Sequence, residues 1–135
     1  GRGQLLEAHA GMLEYLALAA ARAIAPRLAA QPGFQVIKHR LAEMATAVEV
    51  SREFTYRQAA KMAAGISVIK EISMAKNLAT DTADRVTYDA VQILGGQGYM
   101  RGSLVERLYR DNRILSIGGG TREVMNEIIS KQMGL

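Results

Sequence analysis

Two glycine-rich stretches hold the residues whose types and spacing could do chemistry. The first runs Gln92-Ile93-Leu94-Gly95-Gly96-Gln97-Gly98-Tyr99-Met100-Arg101-Gly102, and the second is Gly118-Gly119-Gly120 followed by Thr121. Glycine lets backbone N–H groups cradle a phosphate, but a dinucleotide fingerprint needs G-x-G-x-x-G after a strand and opening a helix. Here the glycines close a helical pattern, and the spacing from Gly98 to Gly102 is wrong. The second stretch lacks the Gly-Lys-Ser/Thr ending of a P-loop. Taken by themselves, both read as helix caps, at positions that also permit close approach of the backbone to another group.

The remaining candidates read as structure or are excluded. With no cysteine, the chain has no disulfide, thiolate metal site or cysteine nucleophile. His9 lies on an apolar stripe and reads as a core or interface histidine rather than a catalytic group. His39 sits between Lys38 and Arg40 on a polar face, and two histidines are too few for a His-rich metal site. Met12, Met44, Met62 and Met74 fit core filling better than a ligand box. The net charge of +4 comes from 17 basic and 13 acidic residues scattered along the chain. A nucleic-acid site clusters its charge, so no nucleic-acid partner is expected. No stretch reaches the ~20 apolar residues of a membrane span.

The elements that must position the glycines are helices. Only 5% of residues are aromatic and two are proline, with Ala, Leu, Ile and Met filling the apolar positions. Such side chains lose little freedom in a helix. Leu5, His9, Met12, Leu16 and Ala20 form one helical stripe between Gln4 and about Ile24. Pro26 breaks it, and Gln31-Pro32-Gly33 reads as the end of a loop. A second stripe is Ile37, Leu41, Met44, Val48, Ser51, Thr55, Ala59 and Met62, ended by Gly65. Ser67 is placed to cap a third helix, whose stripe is Val68, Ile72, Ala75, Ala79, Val86, Ala90 and Ile93, stopped by Gly95 and Gly96. A short helix covers Leu104 to Arg113. Thr121 is a good N-cap for a last helix through Met133, with Glu123 in its first turn, where the helix dipole favours negative charge. No two-residue alternation argues for a strand. The expectation is one all-α domain over residues 1–135, an antiparallel up-down four-helix bundle.

Composition and periodicity stop there; resemblance goes further. Asp89 through Tyr99, then Val105-Glu106-Arg107-Leu108-Tyr109-Arg110-Asp111, then Gly120-Thr121-Arg122-Glu123-Val124 stand in the order and spacing of the acyl-CoA dehydrogenase C-terminal domain. Upstream, Phe34 through Met44 resembles that family's second bundle helix, and Ser73-Met74-Ala75-Lys76 its third. The likeness covers about residues 34 to 135. It implies a FAD-dependent flavoprotein of fatty-acid β-oxidation that desaturates an acyl-CoA thioester at Cα–Cβ, a carboxylate removing the α-proton as hydride passes to the flavin. It also implies an electron-transfer acceptor, a homodimer or homotetramer, and residence in a bacterial cytoplasm or a mitochondrial matrix.

By that likeness Gln92, Ile93, Leu94, Gly95 and Gly96 approach the FAD of a neighbouring subunit, Thr121 and Glu123 touch the cofactor, and Gly120 lines the thioester pocket. Two departures qualify the match. Many family members carry the glutamate base two residues before the threonine, where this chain has Gly119, so no catalytic residue is assigned within it. Long-chain and isovaleryl-type members also lack it there and carry the base on the first bundle helix, at a place just upstream of Gly1. Glu7 and Glu14 read as ordinary surface glutamates. The family's Arg-x-x-Phe-Gly is also missing, and neither Arg22 nor Arg27 has its context. Gly1-Arg2-Gly3, without an initiator Met or a signal-peptide apolar region, reads as a boundary inside a larger parent. Such a domain is expected to be inactive alone, contributing FAD contacts and oligomer packing. The alternative is a degenerate, non-catalytic oligomerisation or interaction module of the same family.

Overall fold

The computed structural model describes residues 35–135. The first-helix stripe with His9 and Met12, and Glu7, Glu14, Arg22, Arg27 and the Gln31–Gly33 turn, lie outside the described residues. Within them the chain forms α1 (Gln35–Ala63), α2 (Ile69–Leu94), the single turn α3 (Gly96–Tyr99), α4 (Leu104–Asn112), a 3-10 turn (Arg113–Ser116) and α5 (Arg122–Met133). There is no strand among the described residues, and the fold is all-α.

Helix α1 buries Met44, Val48, Ser51, Thr55 and Gln58, a stripe at spacings of three and four. The stripe leaves its expected course at the end: Gln58 is buried where Ala59 was expected, and Ala59 and Met62 are half-buried. The Gln58 side-chain N–H donates to the Phe54 carbonyl at 3.1 Å, while its amide oxygen is buried without a partner among the described residues. Gly65, at φ +77°, lets the chain turn out of α1 as expected.

Helix α2 is the spine, because α1, α3, α4, the 3-10 turn and α5 all pack against it. Being covered on several sides, it buries residues around most of its circumference, from Ser73 and Ala75 through Thr82 and Ala83 to Val86, Ala90 and Leu94. Small side chains make that possible. Leu108 of α4 rests on Ala79 and Ala83, while Val105 joins Met44, Val48, Val86, Ala90 and Leu94 in the main core. Thr87 and Ser73 satisfy their buried hydroxyls by donating to carbonyls four residues back, Ala83 at 2.7 Å and Ile69 at 3.0 Å.

Polar ties give the helix directions. Arg85 reaches Glu43 at 2.9 Å and Arg40 reaches Asp89 at 3.9 Å, so α1 and α2 run antiparallel. Asn77 donates to Asn126 at 2.9 Å and Asp81 pairs with Arg122, so α2 and α5 are antiparallel too. The expected Ser67 cap does not form. Val68 occupies the N-cap position of α2 without a side-chain hydrogen bond, and it is buried, so packing rather than capping sets that boundary.

Candidate functional site

The two glycine stretches lie toward opposite ends of α2. Gln92, Ile93 and Leu94 form its last turn, and Gly95 ends it at φ +59°, its N–H donating to the carbonyls of Val91 at 2.9 Å and Gln92 at 3.3 Å. Gln92, Gly95 and Gly96 are exposed and Ile93 is half-buried. Leu94 is buried in the core, so its side chain serves the fold and is not presented outward.

Gly96 has no conformational or steric need to be glycine within this chain. Its φ is not in the left-handed region, and a Cβ built there meets nothing within 4 Å. Alanine would fit there without strain, so nothing among the described residues selects glycine. Gly98 is the opposite case: a Cβ would fall 2.9 Å from both the Val91 carbonyl oxygen and Leu94 Cβ. One glycine is needed by the fold and the other is not.

The second stretch sits against the N-terminal half of α2. Gly119 and Gly120 have φ of +68° and +106°, conformations that side-chain-bearing residues rarely adopt. Thr121 caps α5, its hydroxyl accepting from the Val124 N–H at 3.4 Å. Thr121→Ala is expected to lower stability by about 0.5–1 kcal/mol. The check is a lower urea midpoint with an unchanged slope; an unmoved midpoint would show the cap to be idle. Glu123 is exposed at the first turn of α5. Hydrogen bonding to its own backbone N–H, then to the Thr121 hydroxyl, then the charge of Arg122, hold its carboxyl below the ordinary value.

One further residue joins this loop that its sequence position had not singled out. The Lys76 ammonium of α2 donates to the Gly120 carbonyl across 44 residues of chain. Partial burial pushes this lysine below its ordinary pKa. A Cβ on Gly119 would lie 4.0 Å from Lys76 Cε, so the position two before Thr121 faces the lysine stem.

Lys76 and Leu94 are separated by about 18 helical residues, so the two glycine stretches stand roughly 25 Å apart. An open cleft of about 1130 Å³ lies beside α2 and α4 against the later part of the first stretch, lined by Arg85, Tyr88, Gly98, Tyr99, Arg101 and Tyr109 among others. None of the expected cofactor positions lines it. No group of three His, Cys, Asp or Glu side chains among the described residues could hold a metal ion, and no described helix is long and apolar enough to cross a membrane.

Among the described residues this is an all-α domain whose two glycine stretches leave backbone and helix ends exposed. The family model for the acyl-CoA dehydrogenase C-terminal domain matches residues 2–134, and the chain belongs to that family. An acyl-CoA dehydrogenase of Bacillus subtilis (strain 168) is 46% identical over 99 residues, covering 73% of this chain and 26% of that protein. Human mitochondrial short-chain specific acyl-CoA dehydrogenase is 43% identical over 96 residues, covering 71% of this chain and 23% of the relative. The solved butyryl-CoA dehydrogenase from Megasphaera elsdenii superposes with a TM-score of 0.87 at 33% identity, over 100% of this chain and 36% of that one. The chain thus spans about a quarter of the length of the curated relatives it matches.

Proposed function

We propose that this chain is the C-terminal domain of a FAD-dependent acyl-CoA dehydrogenase, supplying cofactor contacts, a backbone rim for the thioester and oligomer packing, while the catalytic base stands elsewhere in the parent. The observation that carries it is the Gly118–Thr121 loop. It has the family's Gly-Thr cap leading into α5, and no side chain at Gly119 to take a proton. When bound, the flavin supplies the hydride acceptor for Cα–Cβ oxidation. The chain's own part is to bind and orient. Gln92 to Gly96 at one end of α2 contact the FAD of a neighbouring subunit, where the open, glycine-only surface at Gly96 admits close approach. Thr121 and Glu123 at the other end contact the cofactor, with Gly120 beside the thioester. A separation of roughly 25 Å fits contacts to two different cofactors.

Homo-oligomerisation rests on exposed apolar surface. Tyr88, Tyr99 and Met100 are 57%, 78% and 65% exposed around the cleft beside α4, apolar surface that a partner subunit could cover. The parent acts on acyl-CoA and passes electrons to an electron-transfer protein, in a bacterial cytoplasm or a mitochondrial matrix.

The test mixes the isolated chain with an acyl-CoA and an artificial electron acceptor. No turnover is expected, and measurable turnover overturns the assignment of the base outside this chain. Gly119 also admits the second reading, a non-catalytic module that has lost its base altogether. A yellow full-length parent with a glutamate just upstream of Gly1 supports the enzyme; a colourless parent without that glutamate supports the module.

A further inference from the structure

We infer that Lys76 is a positioning residue: by holding the Gly120 carbonyl it fixes the Gly118–Gly120 segment as a rigid rim for the acyl thioester. The inference rests on the reading above that Gly120 lines the thioester pocket. Three consecutive glycines, two at positive φ, make the most permissive backbone a protein can place beside a substrate. Such a segment holds one geometry only if something outside it does the holding. Its own side chains cannot, and within the loop the Gly118 N–H is tied back only to the Ile114 carbonyl at 2.7 Å. The tie on the far side comes from Lys76.

The geometry makes that tie effective. The peptide unit between Gly120 and Thr121 is planar, so fixing the carbonyl on one face fixes the Thr121 N–H on the other. A charged donor makes a stronger hydrogen bond than a neutral one, and partial burial shields this one from competing water. On the same side of α2, Asn77 bonds to Asn126 and Asp81 pairs with Arg122, which hold α5 against the helix that carries the lysine. These two neighbouring ties join helix to helix. Lys76 alone of the three reaches the glycine loop.

The experiment uses the full-length parent flavoprotein with K76M, K76R and N77A. K76M is expected to lower kcat by about tenfold to a hundredfold, the scale of misplacing a reacting group by an ångström, with flavin content unchanged and KM for acyl-CoA within about twofold. That split follows because a rim set for the transition state acts on kcat rather than on ground-state binding. K76R, which keeps a charged donor, should return to within about threefold of the unsubstituted enzyme. N77A removes a neighbouring α2–α5 tie without touching the loop and should keep its kcat. Wild-type kcat in K76M, or an equal loss in N77A, overturns the inference, since the lysine would then only help glue α5 to α2. Absence of turnover in the unsubstituted parent overturns the function on which the inference rests, and the inference with it. Backbone order at Gly119 and Gly120, read by nitrogen-15 relaxation, gives a readout independent of turnover: lower order in K76M supports the clamp, and unchanged order overturns it.

Discussion

Gly98→Val should destabilise the domain more than any surface substitution, by about 2–3 kcal/mol, the upper part of the range for overpacking a tight site. The reason is where the pressure falls. Helix α3 folds back directly after Gly95, so Gly98 lies over the last turns of α2. A Cβ there meets the Val91 carbonyl oxygen at 2.9 Å, the Val91 Cα at 3.1 Å and Leu94 Cβ at 2.9 Å. None of these atoms is the end of a flexible side chain, so no rotamer change relieves the contact. Relief requires moving α3 off α2, and Leu94 is itself part of the core with Val105 and Ala90. Even Gly98→Ala should fall by about 1–2 kcal/mol, because the smaller unfolded-state entropy of alanine, about 0.4–1 kcal/mol, offsets only part of the strain. Gly96→Ala, two residues earlier, is the control and should leave stability unchanged or slightly raised. Urea midpoints for the three variants decide the matter. A Gly98→Ala variant as stable as Gly96→Ala would show that α3 does not press on α2 as described.

Gly120→Ala should combine a stability loss of about 1–3 kcal/mol with a larger functional one. Here the steric contact is forgiving: the new Cβ would sit 2.6 Å from Met125 Cε, the free end of a flexible side chain that can swing aside. The backbone is not forgiving, since φ is +106° and alanine is driven back toward negative values. A shift there pulls the Gly120 carbonyl away from Lys76 and turns the peptide plane leading into Thr121. In the parent enzyme the expected result is a fall in kcat/KM of about a hundredfold or more. The visible flavin spectrum should persist on the contacts proposed for Gln92 to Gly96 at the other end of α2, even as those proposed for Thr121 and Glu123 weaken. Normal turnover in Gly120→Ala would remove this loop from the thioester pocket.

Much of the fold was legible because its ends are punctuated. Gly65, Gly95 and Thr121 each stop or start a helix by a local mechanism, a positive φ or a capping hydroxyl, that depends on few neighbours. Ser67 was misread because a boundary can also be set by packing, and buried Val68 takes the N-cap position without any cap bond. The stripe named Ala59 where Gln58 is the buried residue, a polar side chain whose N–H donates to its own helix while its amide oxygen stays without a partner among the described residues. Helix α3 escaped notice because Gly96-Gln97-Gly98-Tyr99 has poor intrinsic propensity and is held by its fit against α2. The positions around both glycine stretches came from family likeness and from no pattern internal to the chain. The Lys76 contact could come from neither, since it spans 44 residues and a lysine's usual signal is the surface.

The spine helix has one more consequence. If its two ends address two separate flavins, α2 is a ruler laid between them, and its 26 residues set both a distance and an angle. Adding a single residue near Ala83 would lengthen the rod by about 1.5 Å and turn one end by about 100° against the other. Neither glycine loop could absorb that turn without losing its partner. Natural variation in such a chain should therefore collect in its connecting loops, while the number of residues between Lys76 and Gly95 stays constant.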